Sequence, residues 1–122
     1  MTLTDFLLAR IAEDEDRAKR AAFGWGATWS VVTDEFEDWS TVHADGKRDM
    51  VGCEDGDVTE HIARHDPSRV LAECEAKRRI IVGLDYESDE WCFADAPAVA
   101  EVLPFLALPY ADHPDYQQEW KP

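Results

Sequence analysis

The sequence predicts an α+β fold with an N-terminal helix, a small antiparallel sheet, and central and C-terminal helices. Three observations lead to it. Apolar residues near the N-terminus recur at helical spacing, residues 27–53 alternate in polarity around turn signals, and a second helical pattern follows Pro67. The chain has 122 residues, of which 45% are hydrophobic. This is enough for one core, so we expect a single domain over residues 1–122.

The first predicted helix covers residues 3–22. Phe6, Leu7 and Ile11 form its apolar stripe, and Thr2 and Thr4 are the candidate N-caps. The glycines that follow this stretch are expected to end the helix.

Three short segments carry the β-branched, aromatic and alternating residues that are typical of strands. They lie at residues 29–32, 39–43 and 50–53. Asp45 and Gly46 form a hairpin-type turn between the second and third segments. We expect an acidic turn at residues 54–57 after the third strand.

The central helix is expected to begin at Pro67, with Asp66 as its N-cap, and to close near Gly83. Residues 58–65 before it are typical of one or two helical turns.

An acidic loop is predicted over residues 84–95. A last helix is expected to begin at Pro97, and Pro104 should kink or split it. The aromatic tail that follows is interpreted as closing the core, with an exposed patch for a partner as the alternative.

The formal net charge of −15 is large for a chain of this size. Such a polyanion repels phosphates, which argues against direct nucleic-acid binding. A basic protein partner fits the charge, as does imitation of nucleic acid towards a protein that binds it, and simple solubility is the plain alternative. No apolar run of about 18 residues, as a membrane helix needs, is present.

We expect a cytoplasmic protein, because no leader pattern is evident and the three cysteines form no CxxC pair. Its oligomeric state is left open.

The acidic residues of the central part of the chain form a candidate interaction surface, because two runs of them flank the predicted strands. They are Asp34, Glu35, Glu37, Asp38, Glu54, Asp55, Asp57 and Glu60. Carboxylates that project from a sheet could follow a phosphate-like path, since alternate strand residues and duplex phosphates are both spaced by about 7 Å. A solvated face is the alternative.

Two Asp/His/Pro clusters hold three of the four histidines. His61 and His65 are four residues apart, so a helix would place both imidazoles on one side, as in many zinc sites. His113, and Cys53 or a carboxylate such as Glu60, could complete a site for zinc or another divalent metal. Such a site could support hydrolysis. The alternative is that His61 packs on a helix while His65 precedes a cap.

One further candidate for catalysis is an acid/base pair formed by His65 with Asp66 or Asp112. No nucleophile elbow, phosphate loop or dinucleotide fingerprint accompanies them. The sequence therefore favours a protein that is not an enzyme and needs no cofactor, with the metal site as the alternative.

The segments HIARHDPSRVL (residues 61–71) and YADHPDYQQEW (residues 110–120) resemble a family of short uncharacterised proteins of actinomycete bacteria and their phages. The resemblance implies an origin and a compartment but no activity. Within its motifs lie His61, His65, Asp66, Arg69, Asp112, His113, Tyr116 and Trp120.

From charge and resemblance together we expect an acidic interaction protein of the cytoplasm. A phage accessory role, in which it binds or inhibits a basic, nucleic-acid-binding host protein, fits both observations.

Overall fold

The computed structural model describes residues 1–36, 38–45, 48–84 and 101–122, with Arg48 described by its backbone alone. Its elements are α1 (Leu3–Ala22), β1 (Trp29–Asp34), β2 (Trp39–Ala44), β3 (Arg48–Cys53), α2 (Gly56–Arg64), α3 (Pro67–Gly83) and α4 (Val102–Ala107), followed by 3₁₀ turns at Leu108–Tyr110 and Gln118–Trp120. The predicted α+β class is confirmed.

Two compact units share these elements. One comprises residues 1–13 and 74–122, and the other comprises residues 14–73. The expectation of a single domain stays a prediction. Both α1 and α3 contribute residues to each unit.

The start of α1 is held by a reciprocal cap between Thr2 and Asp5. The Thr2 hydroxyl accepts a hydrogen bond from the Asp5 N–H at 3.1 Å, and the Asp5 carboxylate accepts one from the Thr2 N–H at 3.1 Å. These bonds satisfy two backbone donors that a helix start leaves open. Of the two candidate caps, Thr2 is therefore the one that caps the helix, and Thr4 lies inside it.

The core of the first unit is organised around Phe6, whose side chain is fully buried. Its ring contacts four rings of the C-terminal tail, with centroid distances between 5.1 and 6.5 Å. These rings belong to Tyr110, His113, Tyr116 and Trp120. The tail is therefore packed against α1, as the core-closing interpretation predicted.

The second unit contains a three-stranded antiparallel sheet in the order β1-β2-β3. The residues of β2 alternate, with Ser40, Val42 and Ala44 buried. Helix α2 packs across all three strands. A β-bulge interrupts the pairing of β2 with β3 between Val42 and His43. All three predicted strands are present.

Helix α2 begins earlier than predicted, because Asp55 caps it. The Asp55 side chain accepts a hydrogen bond from the Asp57 N–H, so Gly56 and Asp57 belong to the helix. The acidic turn expected at residues 54–57 is wrong in its second half. Asp55 has the extended backbone that is typical of an N-cap, so the helix begins at Gly56.

The predicted cap of α3 is confirmed, because the Asp66 carboxylate accepts the Arg69 N–H at 2.9 Å. Most of the predicted acidic loop and the helix start expected at Pro97 fall on residues 85–100, outside the described residues. Pro104 lies in the first turn of α4, where its missing N–H costs little. None of the described helices is long and apolar enough to cross a membrane.

Candidate functional site

Two acidic segments that are distant in sequence meet at one end of the sheet. Because β1, β2 and β3 run alternately up and down, the turn after β1 and the segment after β3 lie at the same end. We call this region the acidic end of the sheet, and its described acids are Asp34, Glu35, Asp38, Glu54 and Asp55. All five are exposed.

Asp38 and Glu54 line the same open cleft of about 670 Å³, together with Thr33, Ser40 and Gly56. One acid comes from the β1–β2 turn and the other follows β3. The sheet topology therefore gathers acids from two runs of the sequence around one cleft. Glu37 lies outside the described residues.

Two of these acids also hold the local backbone. Asp34 accepts the Phe36 N–H at 2.9 Å within the turn, and Asp55 accepts the Asp57 N–H at 2.9 Å at the start of α2. No hydrogen bond within the described ranges engages the side chains of Glu35, Asp38 or Glu54. These three carboxylates are the ones most available to a partner.

Among the described residues, no ion pair neutralises the acids of this end. In the part of the chain that the structure describes, ion pairs to lysine, arginine or histidine use other carboxylates. The carboxylates that pair with arginine are those of Glu13, Asp16, Glu73 and Glu75, and those of Asp49 and Asp115 lie near His43 and His113. Clustered, unpaired charge of one sign produces a local potential that attracts opposite charge from solution.

An exposed aromatic ring lies in the middle of the acidic turn, and our sequence reasoning missed it. Phe36 is 99% exposed. Trp39, the first residue of β2, is 42% exposed, and Val32, towards the end of β1, is 49% exposed. Aromatic residues are enriched in protein interfaces, so exposed aromatic rings distinguish this turn from an ordinary solvated one. The available signal was a phenylalanine between two glutamates in a strand connection.

The other two acids of the candidate surface, Asp57 and Glu60, do not line the cleft at the acidic end of the sheet. They project from α2 into a second groove of about 600 Å³, the β1–α2 groove. Its lining consists of Trp29, Ser30, Val31, Asp57, Glu60, His61, Ala63 and Arg64. The groove therefore contains two carboxylates against one guanidinium.

His61 and His65 lie together at the C-terminal end of α2. Their ring centroids are 4.4 Å apart, and His65 Nδ1 lies 2.7 Å from the His61 carbonyl oxygen. That contact occupies one nitrogen of His65 and leaves Nε2 as its possible metal ligand.

His113 belongs to the other compact unit, where its ring packs on Phe6 and its Nδ1 accepts the Asp115 N–H at 3.1 Å. Among the described residues, no three histidine, cysteine, aspartate or glutamate side chains form a group that could hold a metal ion. The metal site at His61, His65 and His113 stays a prediction.

The remaining motif residues have structural contacts. Asp66 caps α3, and Arg69 Nε pairs with Glu73 at 2.8 Å. Tyr116 and Trp120 pack edge to face on each other, 5.8 Å apart, beside Phe6. Asp112 is exposed. Most of the two motifs therefore contributes to the fold rather than to the acidic end of the sheet.

Comparison with known proteins gives a family but no activity. No curated protein and no solved structure matches the chain. A family model does match, over residues 1–122, and its description is a family of unknown function. The chain therefore belongs to the family of unknown function DUF6221.

Proposed function

We propose that the protein binds a basic protein partner through the acidic end of the sheet. The observation that carries the proposal is the shared cleft of Asp38 and Glu54, two exposed acids from different segments that have no ion pair among the described residues. Complementary charge speeds the encounter of two proteins and selects the partner.

The exposed ring of Phe36 supports the same conclusion, because it adds an apolar contact to a surface that is otherwise charged. Charge alone produces weak, salt-sensitive capture, whereas a buried aromatic anchor contributes a large share of the binding free energy in many interfaces. A basic partner with an apolar pocket amid its lysines or arginines would fit this surface.

The finer parts of the proposal rest on charge and resemblance. The partner is a nucleic-acid-binding protein, since such proteins carry basic surfaces for phosphates. The setting is the cytoplasm of an actinobacterium, and the protein acts as a phage accessory factor that occupies or inhibits its host partner.

The test compares two variants with the same net charge. The first neutralises the acidic end through Glu35→Gln, Asp38→Asn and Glu54→Gln. The control neutralises three exposed acids elsewhere, Glu101→Gln, Asp112→Asn and Glu119→Gln. Both remove three charges from the formal −15, so any difference between them reports position rather than total charge. Circular dichroism checks that each variant is folded.

Immobilised protein is exposed to an actinobacterial lysate at about 50 mM and about 500 mM salt, where screening lengths differ several-fold. We expect a basic protein, identified by mass spectrometry, to be retained at low salt by the wild type and the control but not by the first variant. Phe36→Ser should weaken retention without changing the charge. Equal retention by all variants, or equal loss from both triple variants, would contradict the proposal.

A further inference from the structure

The first strand of the sheet has an open edge. The described strands lie in the order β1-β2-β3, so β1 and β3 are the edge strands of the described part of the sheet. The β3 side is disturbed by the bulge near Val42, and bulges are one way in which proteins protect an edge from further pairing. The β1–β2 register is regular over all six pairs from Trp29 to Asp34.

The register identifies the backbone groups that face outwards. The Asp45 N–H bonds to the Thr28 carbonyl at 2.7 Å, so hydrogen-bonded pairs with β2 alternate from there along β1. The N–H and C=O groups of Trp29, Val31 and Thr33 therefore point away from β2.

Part of this edge is covered and part is not. The Trp29 N–H is taken by the Asp66 carboxylate at 3.1 Å, and Ser68 of α3 bonds to the Ala27 carbonyl at 3.0 Å. In the described ranges, no partner is found for the outward N–H and C=O groups of Val31 and Thr33. The first turn of α3 therefore closes one half of the edge and leaves the other half able to pair with an added strand.

The open half of this edge meets the β1–α2 groove at Val31, which lines the groove together with Trp29 and Ser30. Side chains of an added strand that point to the α2 side would lie beside Asp57 and Glu60. Alternate residues of that strand are about 6.6 Å apart. The two acids are three residues apart on α2, which places their Cβ atoms about 5–6 Å apart. Two lysines at alternate positions have the reach to meet both carboxylates.

From this geometry we propose that β1 accepts an extended basic segment of the partner as a fourth strand, with alternate lysine or arginine side chains directed at Asp57 and Glu60. The inference rests on the proposed function and names the form in which the basic partner binds. Main-chain hydrogen bonds supply affinity in such strand addition, and alternate side chains supply specificity.

The probe is a synthetic eight-residue peptide in which lysine alternates with threonine. Its control has the same sequence with the central backbone nitrogens methylated, which keeps every charge but removes the donors. We expect the unmodified peptide to bind at about 50 mM salt and the methylated one to bind about tenfold more weakly, since several backbone hydrogen bonds are lost. Amide exchange measured by NMR should slow at Val31 and Thr33 in the complex.

Variants of the protein, rather than of the peptide, test the same edge. Thr33→Pro removes one outward N–H at an exposed position, so it should weaken peptide binding, though less than methylation of several peptide nitrogens does. Thr33→Val keeps the N–H and should bind the peptide normally. The double variant Asp57→Asn with Glu60→Gln should bind the unmodified peptide more weakly. If Thr33→Pro does not fold, the methylated peptide still decides the question.

Equal affinity for the two peptides would overturn strand addition, as would absence of binding by both. Neither result touches the acidic end of the sheet, whose role is decided by the lysate experiment with its two triple variants. Loss of the lysate partner from the variant at the acidic end, together with equal affinity for both peptides, would retain the proposed function and reject the fourth strand.

Discussion

The Asp66 carboxylate joins the start of β1 to the start of α3. Its Oδ2 accepts the Trp29 N–H at 3.1 Å, and its Oδ1 accepts the Arg69 N–H at 2.9 Å. One side chain thus satisfies an edge-strand donor and a helix N-terminal donor, neither of which has another acceptor in its own element. Asp66, which the sequence predicts only as the N-cap of α3, therefore also connects α3 to β1.

Replacing Asp66 by alanine should lower the free energy of unfolding by about 1–3 kcal/mol, since a cap and a second backbone bond are both lost. Asp66→Asn should cost less, because the amide oxygen still accepts one bond. The matched control is Asp112→Ala, in the other Asp/His/Pro cluster, where the side chain is exposed. Urea unfolding measures all three. A cost for Asp112→Ala equal to that of Asp66→Ala would contradict this account.

Gly26 and Gly24 offer a matched pair for a steric prediction. Both have positive φ, +101° and +76°, so alanine is strained at either position. A Cβ at Gly26 would overlap the carboxylate of Asp45, whereas a Cβ at Gly24 meets open space. We expect Gly24→Ala to cost about 1 kcal/mol. Gly26→Ala should cost more, because the Asp45 carboxylate must also turn away and release the Thr28 N–H that it accepts. Thermal unfolding of the two variants checks the difference, and equal melting temperatures would refute the overlap.

Substitutions at Tyr116 distinguish the contribution of its ring to stability from that of its hydroxyl. Its side chain is 8% exposed, and its hydroxyl has no hydrogen-bond partner among the described residues. Removing the hydroxyl should cost nothing or stabilise the protein slightly, because a buried polar group without a partner is unfavourable. We expect Tyr116→Phe to unfold at the same urea concentration as the wild type or higher. Tyr116→Ala should lose about 3–5 kcal/mol with the ring.

The pKa of the Asp5 carboxyl is held below its usual 3.8 by the hydrogen bond from the Thr2 side chain and then by that from the Thr2 backbone. A lowered folded-state pKa stabilises the fold above the unfolded pKa, and this contribution is lost as the pH falls through the lower folded value. NMR titration of the Asp5 carboxyl should give a pKa below 3.8 in the wild type. Thr2→Ala should raise it towards the usual value, and an unchanged titration would contradict the reciprocal cap.

The metal alternative is tested directly by composition. A site at His61, His65 and His113 predicts about one zinc, iron or manganese ion per chain in protein purified without a histidine tag. Elemental analysis measures this, and His61→Ala should abolish it. Only trace metal in the wild type would reject the site. Retention of metal by His61→Ala would show that other residues hold the ion.

Local patterns in the sequence were sufficient for the elements themselves. The apolar stripe of α1, the alternation in β2 and the Asp66–Pro67 start of α3 each report on neighbours within a few residues, and all three are present in the structure. The error at residues 54–57 was also local, because a capping aspartate was read as part of a turn.

The composition of the candidate surface came from the sequence, but its arrangement came only from tertiary structure. Eight acids in two runs could be read from the chain, whereas strand order decided that Asp38 and Glu54 share a cleft and that Asp57 and Glu60 lie in another groove. The open edge at Val31 and Thr33 was likewise invisible in sequence, since it depends on what does not pair with β1. Side-chain periodicity and turn signals record which residues face the core and which strands a hairpin joins, but the packing of α2 on the sheet brings together residues from different elements, and no local pattern encodes it.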